Sequence, residues 1–261
     1  MRHFSRFLVI FAAVLLYTGC ATKDYDETEN WTPERFYTEA KQAMSDGDYE
    51  QAIGYYENLE SHYPYGRYAE QAQLEIAYAY YKNEEPALAI AAADRFTRLH
   101  PAHPNVDYAY YLKGLVNFRG ERTLFNWLFG AKRDPSDRDP KRALRAYNAF
   151  REVVVRFPNS RYAADSAQRV AYLFEYLARY EVHVARFYFE RGAYVAAVNR
   201  SKYALENYPR TPSTEDALGI QAKAYKMMGI TKLAEDTFRV LKKNFPNSRY
   251  IKEFETLTAS R

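Results

Sequence analysis

Phe157-Pro158-Asn159-Ser160-Arg161-Tyr162 returns word for word as Phe245-Pro246-Asn247-Ser248-Arg249-Tyr250, and looser copies stand at Tyr63-Pro64, His100-Pro101 and Tyr208-Pro209. Twelve positions before each of these five prolines lies an alanine: Ala52, Ala89, Ala146, Ala197 and Ala234. Twenty-four positions before, four of the five registers give Ala40, Ala77, Ala185 and Ala222. Such a fixed period is the mark of a repeat protein. Proline stops a helix, because it lacks an amide donor and disfavours helical geometry in the residue before it. Asn or Ser just beyond it suits the start of the next helix. Two helices of about a dozen residues fit between prolines, and a small residue on each lets them pack closely. The pattern Ala77-x2-Tyr80, Ala185-x2-Tyr188 and Ala222-x2-Tyr225, followed by Ala52-x3-Tyr56, Ala146-x3-Phe150 and Ala234-x3-Phe238, follows the tetratricopeptide signature. The expectation is an all-α chain, an α-solenoid of five tetratricopeptide (TPR) repeats over 33–261.

The repeats are unequal. Proline-to-proline intervals are 37, 57, 51 and 37 residues. The 51-residue interval carries 14 extra residues, close to four turns at 3.6 residues each, and 163–191 holds neither Pro nor Gly, so one long helix is expected. In the 57-residue interval Gly114 keeps the small position, which puts the insertion later, in a loop over 119–139. That loop holds Phe125, Trp127 and Phe129, too apolar for a disordered linker. Two readings stay open for it: a flap folded on the solenoid, or a docking element for a partner.

The first 19 residues read as an export signal, with Arg2 and Arg6 ahead of a ten-residue apolar run, Phe7 to Leu16, too short to span a bilayer. The only cysteine, Cys20, follows Thr18-Gly19 as in a bacterial lipobox, with Tyr17 where leucine is usual. Acylation there would leave 20–32 as a lipidated N-terminus and polar, acidic tether. With Cys20 used, no disulfide is possible. Removing the signal leaves 35 basic against 33 acidic residues, which is no nucleic-acid footprint.

No catalytic constellation stands out. His100 and His103 lack a third ligand nearby, and Asp134, Asp137 and Asp139 lack the glycine and distal glutamate of a calcium loop. No phosphate loop or nucleophile motif is present, so no metal, no cofactor and no enzyme activity are expected. Binding is better supported. The first helix of each TPR pair lines the inner face. Counting from the small residue, positions three before, one after and four after share a helical side. They give Tyr37, Lys41 and Met44, then Leu74, Tyr78 and Tyr81, then Tyr111, Leu115 and Phe118. Tyrosine offers a large apolar face with a hydroxyl at low entropic cost, which suits an extended peptide. Tyr37, Tyr78, Tyr81 and Tyr111 are therefore candidate groove residues, and Tyr63 is a further candidate beside them.

Cys20, Tyr63-Pro64-Tyr65-Gly66, Ala77 through Asn83, Ser136 through Pro140, and Glu190-Arg191-Gly192-Ala193 through Asn199-Arg200 together resemble the BamD family. These are the tetratricopeptide lipoproteins of the outer-membrane β-barrel assembly (BAM) machinery. The resemblance covers essentially the whole chain. It implies lipid anchoring on the periplasmic side of the outer membrane, and docking of a BamA-like barrel subunit on the C-terminal repeats. It further implies capture of unfolded outer-membrane proteins by the N-terminal repeats, and contacts with accessory BAM lipoproteins. Arg200 matches an arginine that pairs with a glutamate of the barrel subunit. As a surface charge, its reversal to Glu is expected to leave melting unchanged. The alternative is a periplasmic TPR protein that coordinates peptidoglycan synthesis or envelope constriction.

Overall fold

The computed structural model describes residues 28–118 and 140–259. Those residues form eleven helices: α1 (Pro33–Asp46), α2 (Tyr49–His62), α3 (Arg67–Lys82), α4 (Pro86–Leu99), α5 (Val106–Phe118), α6 (Lys141–Arg156), α7 (Ala163–Glu190), α8 (Tyr194–Asn207), α9 (Ser213–Met227), α10 (Thr231–Asn244) and α11 (Arg249–Ala259). Ten of them make five antiparallel pairs in chain order, and α11 closes the C-terminal end.

The prolines act as expected. Tyr63, His100, Phe157, Tyr208 and Phe245 each donate one last amide bond to the carbonyl four residues back, at 2.8–3.0 Å, and then leave helical geometry. Ser160 and Ser248 accept the N–H of Tyr162 and Tyr250, two residues on. Ser248 directly precedes Arg249 and so caps α11, whereas Ser160 stands three residues ahead of α7 and fixes the turn before it. The opposite turn of four of the pairs has its own signature, seven positions after the small residue. Gly47, Gly192 and Gly229 sit there at φ 82°, 75° and 74°, in the left-handed region that glycine enters without strain. Glu84 holds the same place at φ 63°.

All nine register alanines are buried, none more than 2% exposed. In α5 even a methyl group is excluded: a Cβ on Gly114 would stand 2.5 Å from the Phe150 ring. This is the physical meaning of the period. First and second helices cross at small residues, and the aromatic of the second helix fills the space (Tyr56 and Phe150 are fully buried).

First helices also pack on the first helices of neighbouring pairs (α1 on α3, α3 on α5, α7 on α9), whereas second helices do not pack on one another to a comparable extent. First helices therefore form the inner side of the solenoid. The long helix is α7, 28 residues. Its N-terminal half packs on α6 and its C-terminal half on α8 and α9, so it serves two repeats. The expected insertion lies in sequence between α5 and α6; Phe125, Trp127 and Phe129 lie outside the described residues, as do Cys20 and the export signal. The fold begins before the expected tether end. Trp31 packs on Phe36 and Tyr55 at 5.2 and 5.4 Å, and Thr32 caps α1 by accepting the Arg35 N–H.

Candidate functional site

The inner side of repeats one to three is an aromatic surface. Tyr37 of α1 lies against Tyr68, with ring centres 5.6 Å apart, and Tyr78 and Tyr81 of α3 lie 6.2 Å from each other. Tyr111 of α5 stacks on Tyr162 at 4.6 Å, and Phe118 meets Tyr172 of α7 at 6.0 Å. The one cation expected here, Lys41, is neutralised by Glu75 at 3.1 Å. Burial, reinforced by Glu75, pushes the Tyr37 hydroxyl above the ordinary phenol range. Tyr111 is held up by burial and by donating to Asp165 at 2.8 Å. Asp165 in turn is held below the usual carboxylate range, mainly by its hydrogen bond from Arg169. These hydroxyls stay protonated donors through the physiological range.

The structure divides the expected groove residues. Tyr37, Tyr78, Tyr81 and Tyr111 fall on the inner side, yet all four are half-buried. Tyr37 and Tyr111 are also joints between repeats, because Tyr68 and Tyr162 of the following helix starts rest on them. Tyr63 belongs elsewhere: at the end of α2 it donates to the Trp31 carbonyl at 2.9 Å and fastens the N-terminal segment. Four exposed rings escaped the register: Tyr65, 91% exposed before α3, Tyr203 on α8, and Tyr172 and Phe187 on α7. The signal for the last two was available, since a helix lengthened by four turns presents a longer face.

Arg200 is not a solvated charge. From α8 it donates to Glu181 of α7 at 3.1 Å; the carboxylate side chain is 9% exposed and the guanidinium side chain 45%. Burial holds the Glu181 carboxyl above its usual range, with Arg200 offsetting part of the rise. Reversal to Glu would put two carboxylates together, so the expectation of unchanged melting does not hold. His100 is likewise internal: it bonds Gln73 at 2.7 Å and, with His103, packs on Phe96. Among the described residues no group of three His, Cys, Asp or Glu is placed to hold a metal ion. No described helix is long and apolar enough to cross a membrane.

A family model described as an outer membrane lipoprotein, YfiO, matches residues 29–241, nearly the whole of this helical array. Curated relatives called outer membrane protein assembly factor BamD agree along the same length. The protein of Neisseria meningitidis serogroup B is 46% identical over 95% of this chain and 94% of its own. That of Neisseria gonorrhoeae is 48% identical over 89% of this chain and 86% of its own. This chain belongs to the BamD family. A more distant relative, from Vibrio cholerae, keeps 38% identity over 89% of this chain and 95% of its own, so the BamD match is not confined to one repeat.

Proposed function

We propose that this chain is a non-enzymatic assembly factor of the outer membrane, a subunit of the BAM machinery that scaffolds the insertion of β-barrel proteins. The observation that carries the reading is full-length similarity to proteins named for that role, on a fold whose inner side is built for contact. Anchoring through acylated Cys20 on the periplasmic side accords with the absence of a spanning helix among the described residues. The aromatic half of the inner side receives unfolded barrel proteins, and the C-terminal repeats dock a BamA-like barrel subunit. Arg200 suits that docking, because Glu181 fixes the guanidinium in place while nearly half of the side chain faces solvent. Accessory lipoproteins take other surfaces. The envelope-constriction alternative has no support from the relatives.

A tagged full-length chain purified from detergent-solubilised outer membrane should bring the barrel subunit with it. Recovery of peptidoglycan synthases in its place would refute the assignment. Cys20→Ser should lose incorporation of a labelled fatty acid; unchanged labelling would refute the anchor. Tyr78→Ala with Tyr81→Ala should weaken an aromatic-ended peptide more than about tenfold, as loss of two aromatic anchors does.

A further inference from the structure

The inner side changes chemistry half-way along. The offsets that give eight apolar or aromatic residues and one neutralised lysine in repeats one to three give Arg186, Lys223 and Lys226 in repeats four and five, beside Val182, Phe189 and Gly219. Arg186 lies 3.0 Å and Arg249 3.2 Å from the same carboxylate, Asp216, and Lys223 pairs with Glu253. Three cations thus share two carboxylates, and Lys226 lies over the Phe254 ring at 4.2 Å. Arg249 and Arg186 keep 62% and 41% of their side chains in solvent. Phe189 and Tyr250 lie beneath Lys223, and the surplus is the one cation by which Arg186, Arg249 and Lys223 exceed Asp216 and Glu253.

We propose that the C-terminal half of the inner side is a docking surface for an acidic, extended polypeptide segment, continuous with the aromatic half. The inference rests on the reading of that inner side as the groove for unfolded proteins. Neighbouring helices stand about 8–10 Å apart and an extended chain covers about 3.3 Å per residue, so one repeat corresponds to about three residues. The extra length of α7 adds about 21 Å along its axis at about 1.5 Å per residue, so a segment with its aromatic residues on repeat three places carboxylates on repeat five about eight to twelve residues away. Charge complementarity selects the acid, because a surplus of positive charge on a low-dielectric wall attracts carboxylates and repels basic segments. A polypeptide is favoured over a lipid surface because the first helices form the inner side of a curved array, which a flat bilayer does not follow.

The test uses the full chain and labelled fifteen-residue peptides with an aromatic-rich end and four Asp or Glu at the other, in both orders. Controls carry Asn or Gln at the acidic positions. At low salt the better acidic peptide should bind at least fivefold tighter than its amide control, and the margin should shrink as salt is added. Lys226→Gln with Arg249→Gln should remove most of the margin while the amide control binds as before. Equal affinity of acidic and amide peptides for the unmodified chain overturns the inference, whatever the variants do. If that equal binding still depends on Tyr78 and Tyr81, the aromatic groove stands and only the acidic half falls. If neither peptide binds, both readings fall. Capture by anionic phospholipid vesicles in place of the peptides would assign the basic surface to a membrane and refute the proposal.

Discussion

The two identical copies of Phe-Pro-Asn-Ser-Arg-Tyr do the same local work and different structural work. In both, phenylalanine ends a helix, serine accepts the N–H of the tyrosine, and arginine lies over that ring, at 4.8 Å for Arg161 and 4.9 Å for Arg249. In both, the tyrosine reaches the first helix of the preceding pair, three positions before its small residue. There the copies part. Tyr162 meets another ring, Tyr111, and starts a 28-residue helix held by repeats on either side. Tyr250 meets no side chain at the equivalent place: Gly219 leaves the backbone bare, and a Cβ there would stand 2.1 Å from the ring. The helix it starts, α11, has 11 residues and packs mainly on α9 and α10. The phrase is thus a joint whose role is set by the helix it begins. Inside the chain it couples repeats; at the end it seats a cap.

Glycine replacements should separate the two cases most strongly. Gly114→Val must displace Phe150, which is fully buried between helices and has nowhere to go. We expect a loss of about 1–3 kcal/mol or more in the main unfolding transition by denaturant titration. Gly219→Ala should instead lift α11, with its amides exchanging faster while the main transition moves little. An equal fall in the main transition for both would show that α11 is no separable cap. Next in size, Tyr162→Ala should cost about 2 kcal/mol globally, from lost burial and stacking on Tyr111. Tyr250→Ala should act locally on α11, and a global loss matching that of Tyr162→Ala would erase the distinction.

The Arg200–Glu181 pair tests whether the joint made by α7 also depends on charge. Arg200→Ala should cost about 1–2 kcal/mol, a buried-pair penalty reduced for the solvent around the guanidinium. The sign of the pH effect is fixed. A carboxyl whose folded pKa is raised gives stability that is present below its unfolded pKa and lost as pH rises through the folded one. Without Arg200, burial acts on Glu181 alone, so the variant should be nearer wild type in acid than at neutral pH. A constant deficit across that range would mean Glu181 is solvated in the variant. Smallest of all, Glu84→Gly should relieve left-handed strain and stabilise by about 0.5 kcal/mol, since glycine's greater freedom when unfolded offsets part of the gain.

The helix stops, the pairing and the lengthened α7 were legible because each rests on local chemistry. Proline geometry acts on its neighbours, and a small residue at a fixed distance from each proline announces a close crossing. The left-handed turn was equally legible in Gly47, Gly192 and Gly229, but it shows as a series only when counted from the alanines. The groove was half legible. The register found the helical side that bears Tyr78 and Tyr81, but it could not show that Tyr37 and Tyr111 are leaned upon by the next repeat, nor that Tyr63 fastens Trp31.

The sequence by itself determined an all-α array of five pairs, one of them with a lengthened helix. Only the tertiary structure decided which aromatic rings are joints, that Arg200 is held by Glu181, and that the basic side chains of repeats four and five gather around Asp216 and Glu253. The reason is the separation of the partners: Tyr111 meets Asp165 across 54 positions, and Arg186 reaches Tyr250 across 64. Periodicity fixes which side of a helix a residue occupies. Which residue of another helix it meets depends on how the two helices cross, and that is settled only when they pack.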